Sequence, residues 1–236
     1  MPDAVHQPPF RLLAQKQPDT EIERKPDGTI YLRQRHEPGD RPRSVPHALA
    51  MRAAMHPDRD WLKQRNPQTD EWEAITYGEG LKRTRALAQA FLDMGAGPDA
   101  PVMILSGNSI ETALTMVAAM TIGAPAAPIS VPYSLMSTDF AKLKHCFNAV
   151  QPKVIFADQF KPFQPAIAAL GDHGCTVITT DGANGAVSYQ GLLDTQVTPA
   201  VDAALEALND DTIGKYLFTS GSTGMPKPVP TTQGAM

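Results

Sequence analysis

Residues 101–130 read PVMILSGNSIETALTMVAAMTIGAPAAPIS, and this stretch sets the fold class. It opens on an apolar run, residues 101–105, of the kind that forms a strand buried on both faces. Residues 106–109 supply a turn and a helix cap, residues 110–122 carry a helical pattern, and residues 124–130 form a second apolar strand. The stretch therefore predicts a strand–helix–strand unit with two parallel strands.

Similar units precede and follow this stretch. Thr76 and Glu79 have the spacing of a helix capping box, and apolar residues recur at helical intervals after them. The same reasoning predicts helices over residues 138–150, started at Ser137, and 162–170, and strands over residues 153–157, 175–179 and 213–218. The alternation predicts an α/β fold with a largely parallel sheet and helices on both faces. Residues 61–65 and 72–75 predict an antiparallel hairpin beside that body.

The first 60 residues differ in composition from the rest. The net charge of the chain is −4, yet residues 1–65 hold twelve Lys and Arg against nine Asp and Glu, which leaves −7 for the remainder. The segment is rich in proline and includes a strand-like stretch, residues 29–34, that follows the turn signal Asp27-Gly28. We expect residues 1–60 to form an N-terminal arm and residues 61–236 an incomplete larger domain. A partly disordered leader is the alternative for the arm.

The composition excludes several classes of protein. With 236 residues, of which 42% are hydrophobic and 19% charged, the chain is predicted to be globular rather than disordered. The acidic balance and 6% aromatic content argue against a nucleic-acid binder. The longest apolar stretch contains Glu111, Pro125 and Pro128, so no membrane span is expected. Cys146 and Cys175 form no CxxC pair, and with no signal peptide in the sequence we expect a cytoplasmic protein.

The chemistry-bearing motif is TSGSTGMPK, residues 219–227, directly after the strand predicted over residues 213–218. Glycines allow backbone amides to point into one concavity that binds anions, hydroxyls add donors, and a lysine supplies a mobile positive charge. These residue types suit the phosphates of a nucleotide. The candidate ligands are Thr219, Ser220, Gly221, Ser222, Thr223, Gly224 and Lys227.

Spacing and neighbouring elements argue against other interpretations of the glycine-rich stretches. The GxxxxGK[ST] phosphate loop does not fit, because only two residues separate Gly221 from Gly224. A flexible Gly/Ser linker has no need of an apolar strand before it or of the Pro-Lys pair after it. Residues 95–100 formally match GxGxxA, but they follow a predicted helix and precede a strand, the reverse of a dinucleotide-binding turn.

The string from Thr219 to Lys227 resembles the phosphate-binding signature of the acyl-adenylate-forming enzymes, which include acyl-CoA synthetases, luciferases and the adenylation domains of peptide synthetases. Two later positions depart from it, since Pro228 stands in place of the usual Gly and Gln233 in place of the usual His. The resemblance extends over residues 72–130. With the strings HEPGDRPRS, WLKQR and PYSLMSTDFAKLKH, the chain looks most like the N-terminal part of the feruloyl-CoA synthases.

The resemblance implies an acid–thiol ligase that uses ATP, Mg²⁺ and coenzyme A. A carboxylic acid, aromatic and of the ferulate type or aliphatic, is adenylated with loss of pyrophosphate and then transferred to the CoA thiol. It also implies that the Ser220 to Gly224 residues embrace the β- and γ-phosphates, that Lys227 holds the pyrophosphate, and that Gln233 lies near the acyl pocket.

In that family the adenine-binding, metal-binding and hinge residues follow the phosphate signature at a greater distance than the nine residues after Lys227. We therefore expect the 236-residue chain alone to have no ligase activity. Two alternatives stay open: a fatty-acid or other acyl-CoA synthetase, and a catalytically incomplete module that binds nucleotide or associates, for example as a homo-oligomer.

Overall fold

The N-terminal region forms a unit of its own. The computed structural model describes residues 18–36, 39–66, 69–219 and 224–236, and it divides the chain into Met1–Arg41 and Pro42–Met236. In the first unit, strands β1 (Thr20–Arg24) and β2 (Ile30–Gln34) form an antiparallel hairpin. Its turn holds Gly28 at φ 87°, and Asp27 Oδ1 accepts a hydrogen bond from Thr29 N. The predicted strand and turn are confirmed, while β1 has no counterpart among the predicted elements.

The second unit alternates helices and strands. Its strands are β3 (Asp60–Arg65), β4 (Trp72–Thr76), β5 (Val102–Leu105), β6 (Ala126–Pro128), β7 (Val154–Ala157), β8 (Thr176–Thr179), β9 (Val187–Ser188), β10 (Ile213–Thr219) and β11 (Lys227–Thr232). Its helices are α1 (Val45–Met55), α2 (Tyr77–Asp93), α3 (Ile110–Thr121), α4 (Pro132–Leu135), α5 (Ala141–Val150), α6 (Phe160–Ala169), α7 (Tyr189–Leu192) and α8 (Pro199–Glu206), and a 3-10 turn spans Gln233–Ala235. Because α1 lies in this unit, the division at Arg41 precedes the boundary predicted at residue 60.

A seven-stranded sheet organises the second unit, with the strand order β11-β10-β6-β5-β7-β8-β9. Its neighbouring strands run parallel except at one edge, where β10 and β11 are antiparallel. β3 and β4 pair antiparallel as a separate two-stranded sheet. The predicted α/β class, with a mostly parallel sheet and an antiparallel hairpin, is confirmed.

The sheet is covered on both faces. Val102 and Ile104 of β5 belong to a core shared with α2 and α3, whereas Met103 and Leu105 belong to the opposite core with α5 and α6. Successive side chains of a strand point to opposite faces, so one apolar run serves both cores. This is why residues 101–105 show no polar alternation.

Helices α2 and α3 begin where the sequence predicts. Thr76 Oγ1 accepts a hydrogen bond from Glu79 N at 3.3 Å, and Ser109 Oγ accepts one from Thr112 N at 3.0 Å. Each hydroxyl satisfies an amide that the helix leaves unpaired in its first turn. The Glu79 carboxylate pairs with Arg83 one turn further on, with 2.7 Å between Oε1 and Nε.

Helix α5 begins at Ala141, so the start predicted at Ser137 is wrong by one helical turn. Ser137 Oγ accepts from Phe140 N at 2.9 Å and Asp139 Oδ1 accepts from Ala141 N at 3.0 Å. Phe140 also adopts a left-handed conformation, with φ at 54°. Short polar side chains here compete with the helix for backbone amides, so the chain turns once more before the helix starts.

Candidate functional site

The TSGSTGMPK motif occupies one end of the β10–β11 hairpin, and we call residues 219–227 the hairpin loop. β10 ends at Thr219, β11 begins at Lys227, and these two residues pair across the hairpin. Residues 220–223, with four of the predicted phosphate ligands, lie outside the described residues. Gly224 and Lys227 are exposed, and a Cβ atom built on Gly224 would meet no atom of the described residues within 4 Å. Both residues are therefore accessible at the surface that the described residues form.

Two side chains fix the base of the hairpin loop. Thr219 Oγ1 donates to Lys227 O across the hairpin at 3.5 Å. From outside the hairpin, His145 Nε2 lies 2.9 Å from Pro226 O, and Pro226 itself is buried. The backbone is thus contacted just before Lys227, at Pro226 O, and at the carbonyl of Lys227 itself, while the Lys227 side chain stays exposed.

The hairpin loop lies at the carboxyl end of the parallel strands. β10 runs parallel to β6, with Lys215 opposite Ala126, so the loop and residues 129–140 after β6 leave the sheet at the same edge. In open α/β sheets, ligands bind in the crevice outside the carboxyl ends of the strands. The loop therefore stands where this fold class places its ligands.

A pocket of about 400 Å³ opens beside the hairpin loop. Met225 forms one wall, and the segment from α4 to the first turn of α5 forms the others. The remaining lining residues are Pro132, Tyr133, Met136, Ser137, Asp139, Ala141 and Lys142. The volume falls in the range of small-molecule sites, about 300–1,000 Å³. Its position makes it a candidate extension of the site at the loop.

The polar groups of this pocket are held in place. Lys142 Nζ lies 5.3 Å from the centre of the Tyr133 ring, a distance suited to a cation–π contact. The Ala141 amide, and after it the Ser137 hydroxyl, hydrogen-bond to Asp139 and lower the pKa of its carboxyl. The pocket thus combines apolar walls with one cation and one carboxylate that favours its charged form.

Gln233 lies at the opposite end of the hairpin from the loop. Its side chain is 2% exposed, its Oε1 accepts from Val45 N at 3.1 Å, and its backbone N donates to Thr212 O at 2.8 Å. Five residues of β11, 228–232, separate it from Lys227, so the two lie about 20 Å apart at the usual rise of a strand. Its assignment to an acyl pocket stays a prediction, and it would require the acyl group to reach the far end of the hairpin.

His145 and Cys146 are adjacent in α5 but lie in different surroundings. Cys146 is 0% exposed within the core formed with α6, and burial raises the pKa of its thiol to about 11. His145 instead reaches the hairpin loop. Sequence reasoning missed the contact of His145. The partner lies 81 residues away, and no local pattern signals a contact over that separation.

The residues that the structure describes lack two further features. Among them, no helix is long and apolar enough to cross a membrane. The same residues contain no group of three or more His, Cys, Asp or Glu side chains arranged to hold a metal ion.

The fold and the hairpin loop define a class: an α/β protein that presents a hydroxyl- and glycine-rich loop with a lysine at the carboxyl edge of its sheet. Comparison with known families narrows this class. Residues 49–236 match the family described as AMP-binding enzyme, and the chain therefore belongs to the AMP-binding, adenylate-forming enzymes.

Individual relatives are distant and much longer. The chain is 26% identical over 167 residues to luciferin 4-monooxygenase of Photuris pensylvanica, a match that covers 66% of this chain and 29% of that protein. It is 24% identical over 193 residues to the hybrid PKS-NRPS synthetase traA of Penicillium crustosum, covering 82% of this chain and 4% of that one. The chain thus spans less than a third of the length of these relatives.

Solved structures support the fold. A fatty acyl-adenylate ligase from L. pneumophila matches at a TM-score of 0.61 and 19% identity, over 81% of this chain and 30% of that one. The N-terminal domain of FACL13 from Mycobacterium tuberculosis matches at a TM-score of 0.63 and 24% identity, over 81% of this chain and 44% of that one. The architecture is therefore that of the N-terminal part of the large domain in adenylate-forming enzymes.

Proposed function

We propose that this chain supplies the phosphate-binding part of an ATP-dependent acid–CoA ligase. One observation carries the proposal: Thr219 and Lys227 are paired at the base of a TSGSTGMPK loop at the carboxyl edge of the sheet, and Lys227 is exposed there. A lysine fixed at its backbone and free at its ammonium is suited to neutralise charge that develops on a leaving group.

The proposed reaction has two steps. A carboxylate oxygen attacks the α-phosphorus of ATP, the bond to the bridging oxygen breaks, and pyrophosphate leaves with that electron pair. The CoA thiol then loses its proton and attacks the acyl carbonyl, and AMP leaves. In the first step Ser220, Gly221, Ser222, Thr223 and Gly224 would hold the β- and γ-phosphates, Thr219 would reach the nucleotide, and Lys227 would hold the departing pyrophosphate.

Mg²⁺ is the metal expected with ATP, and proteins commonly bind it through one or two carboxylates together with substrate phosphates. Asp139 is the carboxylate that lines the same pocket as Met225, and it already accepts hydrogen bonds from Ser137 and Ala141. The described residues thus offer one carboxylate and no dedicated set of metal ligands beside the loop. No part of the role proposed for Lys227 depends on a ligand to the metal from these residues.

For the substrate we propose an aromatic acid of the ferulate type. The support is the set of strings that resemble feruloyl-CoA synthases, residues 36–44, 61–65 and 132–145. A fatty acid or another acyl group is the alternative, and the solved relatives include a fatty acyl-adenylate ligase. Thioester formation from ferulate and from medium-chain fatty acids, measured with the complete enzyme, would separate them. A preference for fatty acids by one order of magnitude or more would refute the ferulate assignment.

A different class of function is a module that binds nucleotide or associates without turnover. Association through the sheet would use β11, which forms one edge. Pro228 and Pro230 lie in that strand and have no amide hydrogens to donate to another strand. This observation favours the ligase over the association module. Because this chain covers 30% of the solved fatty acyl-adenylate ligase and 44% of the FACL13 domain, we still expect this chain alone to form no thioester.

The test of the proposed function is Lys227→Ala in the complete enzyme. Loss of one preorganised positive group should slow ATP–pyrophosphate exchange about 10²-fold and leave thioester formation from preformed acyl-adenylate within about 3-fold. Lys161→Ala, an exposed lysine on α6, is the matched control and should leave both rates unchanged. Equal losses in the two half-reactions would refute the pyrophosphate role of Lys227.

A further inference from the structure

His145 connects helix α5 to the hairpin loop. Its Nε2 lies 2.9 Å from Pro226 O. A carbonyl oxygen accepts hydrogen bonds and cannot donate them, so the contact requires a proton on Nε2. The imidazole therefore donates to the peptide unit that joins Pro226 to Lys227.

The platform that carries His145 is rigid. Leu143 and Cys146, on either side of it in α5, are both 0% exposed in the core that α5 shares with α6. His145 itself is half-buried, so its ring has little freedom to leave the loop. Because the His145 side chain is fixed in this way, it can hold the Pro226 carbonyl in one position.

The backbone of Lys227 is held from the other side by the hairpin. Lys227 pairs with Thr219, whose hydroxyl donates to Lys227 O at 3.5 Å. The carbonyls of two successive residues, Pro226 and Lys227, therefore each accept a hydrogen bond from a side chain. The strand pairing at Lys227 and the bond from His145 to Pro226 O together restrain the direction in which the Lys227 side chain leaves the backbone.

We propose that His145 is a positioning residue for Lys227. By holding Pro226 O, it fixes the exit of the hairpin loop and aims the Lys227 ammonium toward the nucleotide phosphates, without touching the nucleotide itself. This inference rests on the proposed function of the loop. It assigns His145 no proton transfer, and the adjacent thiol takes no part because Cys146 is sealed in the core.

The test measures binding of inorganic pyrophosphate and of ATP, each with Mg²⁺, to the whole chain by calorimetry. His145→Leu keeps much of the side-chain volume and removes the donor. It should weaken pyrophosphate binding about 5-fold, the size expected for the loss of one neutral hydrogen bond. His145→Gln keeps an N–H donor at similar reach and should stay within about 2-fold of the wild type. His56→Leu, an exposed histidine at the end of α1, is the control.

The decisive comparison repeats His145→Leu in a Lys227→Ala background. If His145 acts through Lys227, its removal should then change pyrophosphate affinity less than about 2-fold, because coupled residues are not additive. A general loosening of the fold would lower affinity to the same extent in both backgrounds, and that result would overturn the proposal. An unchanged affinity in the single variant would overturn it as well.

If the proposed function is wrong, the binding affinities of the variants should follow a different pattern. If Lys227→Ala binds pyrophosphate and ATP as well as the wild type, the hairpin loop is not the phosphate site, and the role of His145 is refuted with it. If Lys227→Ala weakens binding but His145→Leu does not, only the role of His145 is refuted. Imidazole nitrogen shifts from NMR add an independent check, since a ring protonated on Nδ1 alone cannot make the observed contact.

Discussion

The two ends of the β10–β11 hairpin differ in how their residues are held. At the loop end, Gly224 and Lys227 are exposed, and hydrogen bonds from Thr219 and His145 fix the backbone. The other end, which we call the closed end, consists of Gly214, Gln233 and Met236. A Cβ atom on Gly214 would lie 2.4 Å from Met236 Cε and 2.8 Å from Gln233 Nε2.

Within one hairpin, the closed end therefore contributes to stability and the loop end to ligand binding. The closed end ties the turn after β11 to the start of α1 through the hydrogen bond from Val45 N to Gln233 Oε1. The loop end leaves its lysine free for a ligand. The two ends are about 20 Å apart, beyond the distance at which substitutions usually couple. Substitutions at the closed end should therefore change the free energy of unfolding, and substitutions at the loop end should change affinity for phosphates.

The largest effect is expected from Gly214→Val. The added methyl groups collide with the buried amide of Gln233 and with the exposed end of the Met236 side chain, and overpacking costs about 1–3 kcal/mol. We expect a loss within that range in the free energy of unfolding, measured by urea titration. The matched control is Gly224→Ala at the loop end, where the new Cβ has open space. A loss of stability from Gly224→Ala as large as that from Gly214→Val would contradict the assignment of stability to the closed end.

A smaller effect is expected from Gln233→Ala. The substitution leaves the half-buried amide of Val45 without its acceptor, at a cost of about 1–2 kcal/mol in the free energy of unfolding. Gln159→Ala, an exposed glutamine at the start of α6, should stay within about 0.5 kcal/mol of the wild type.

The same variant tests the acyl-pocket prediction for Gln233. In the complete enzyme, a raised KM for the acid with unchanged KM for ATP would support a place in the acyl pocket. Loss of stability with both KM values unchanged would assign Gln233 to the closed end alone.

The smallest effect is expected for the pH dependence of the free energy of unfolding. It involves His47 in α1, the helix that Gln233 contacts through Val45. In the first turn of α1, His47 Nε2 accepts from Arg43 and Nδ1 lies 2.7 Å from Ser44 Oγ. Burial, and after it the positive charge of Arg43, lower the pKa of His47 below 6.5. The unfolded chain then binds a proton that the folded chain does not, so stability should fall as the pH drops through 6.5 toward the lowered pKa.

Urea midpoints measured between pH 7.5 and pH 5 would show this dependence. The decrease in stability below pH 6.5 should be smaller in His47→Gln than in the wild type, because the titrating group has been removed. An unchanged pH profile in His47→Gln would show that His47 does not contribute.

Local pattern was sufficient for much of the fold. The apolar runs at residues 101–105 and 153–157 predicted strands that are buried on both faces, and Thr76 and Ser109 cap the helices that follow them. The start of α5 was wrong because Asp139 and Ser137 engage backbone amides that a helix would otherwise use. Strand β1 was missed because three of its five residues are charged, whereas β2, which is exposed as well, carries Ile30, Tyr31 and Leu32, residues common in strands.

For the candidate site, too, the sequence revealed one part and not another. The residue types of TSGSTGMPK and the strand before it were visible in the sequence, since a phosphate loop is built from one continuous segment. The pocket beside Met225 was not visible, because its walls come from residues 132–142 and from the loop about 80 positions later. The strand order brings them together, with β10 beside β6.

Capping boxes, apolar runs and glycine-rich loops act over a few residues, so the amino-acid sequence alone specifies them. The contacts that fix the site and the closed end join residues far apart: His145 to Pro226 over 81 positions, and Val45 to Gln233 over 188. Their existence depends on which strands pair and on which face each helix packs. Burial of both sheet faces selects that arrangement, and it belongs to the folded chain as a whole.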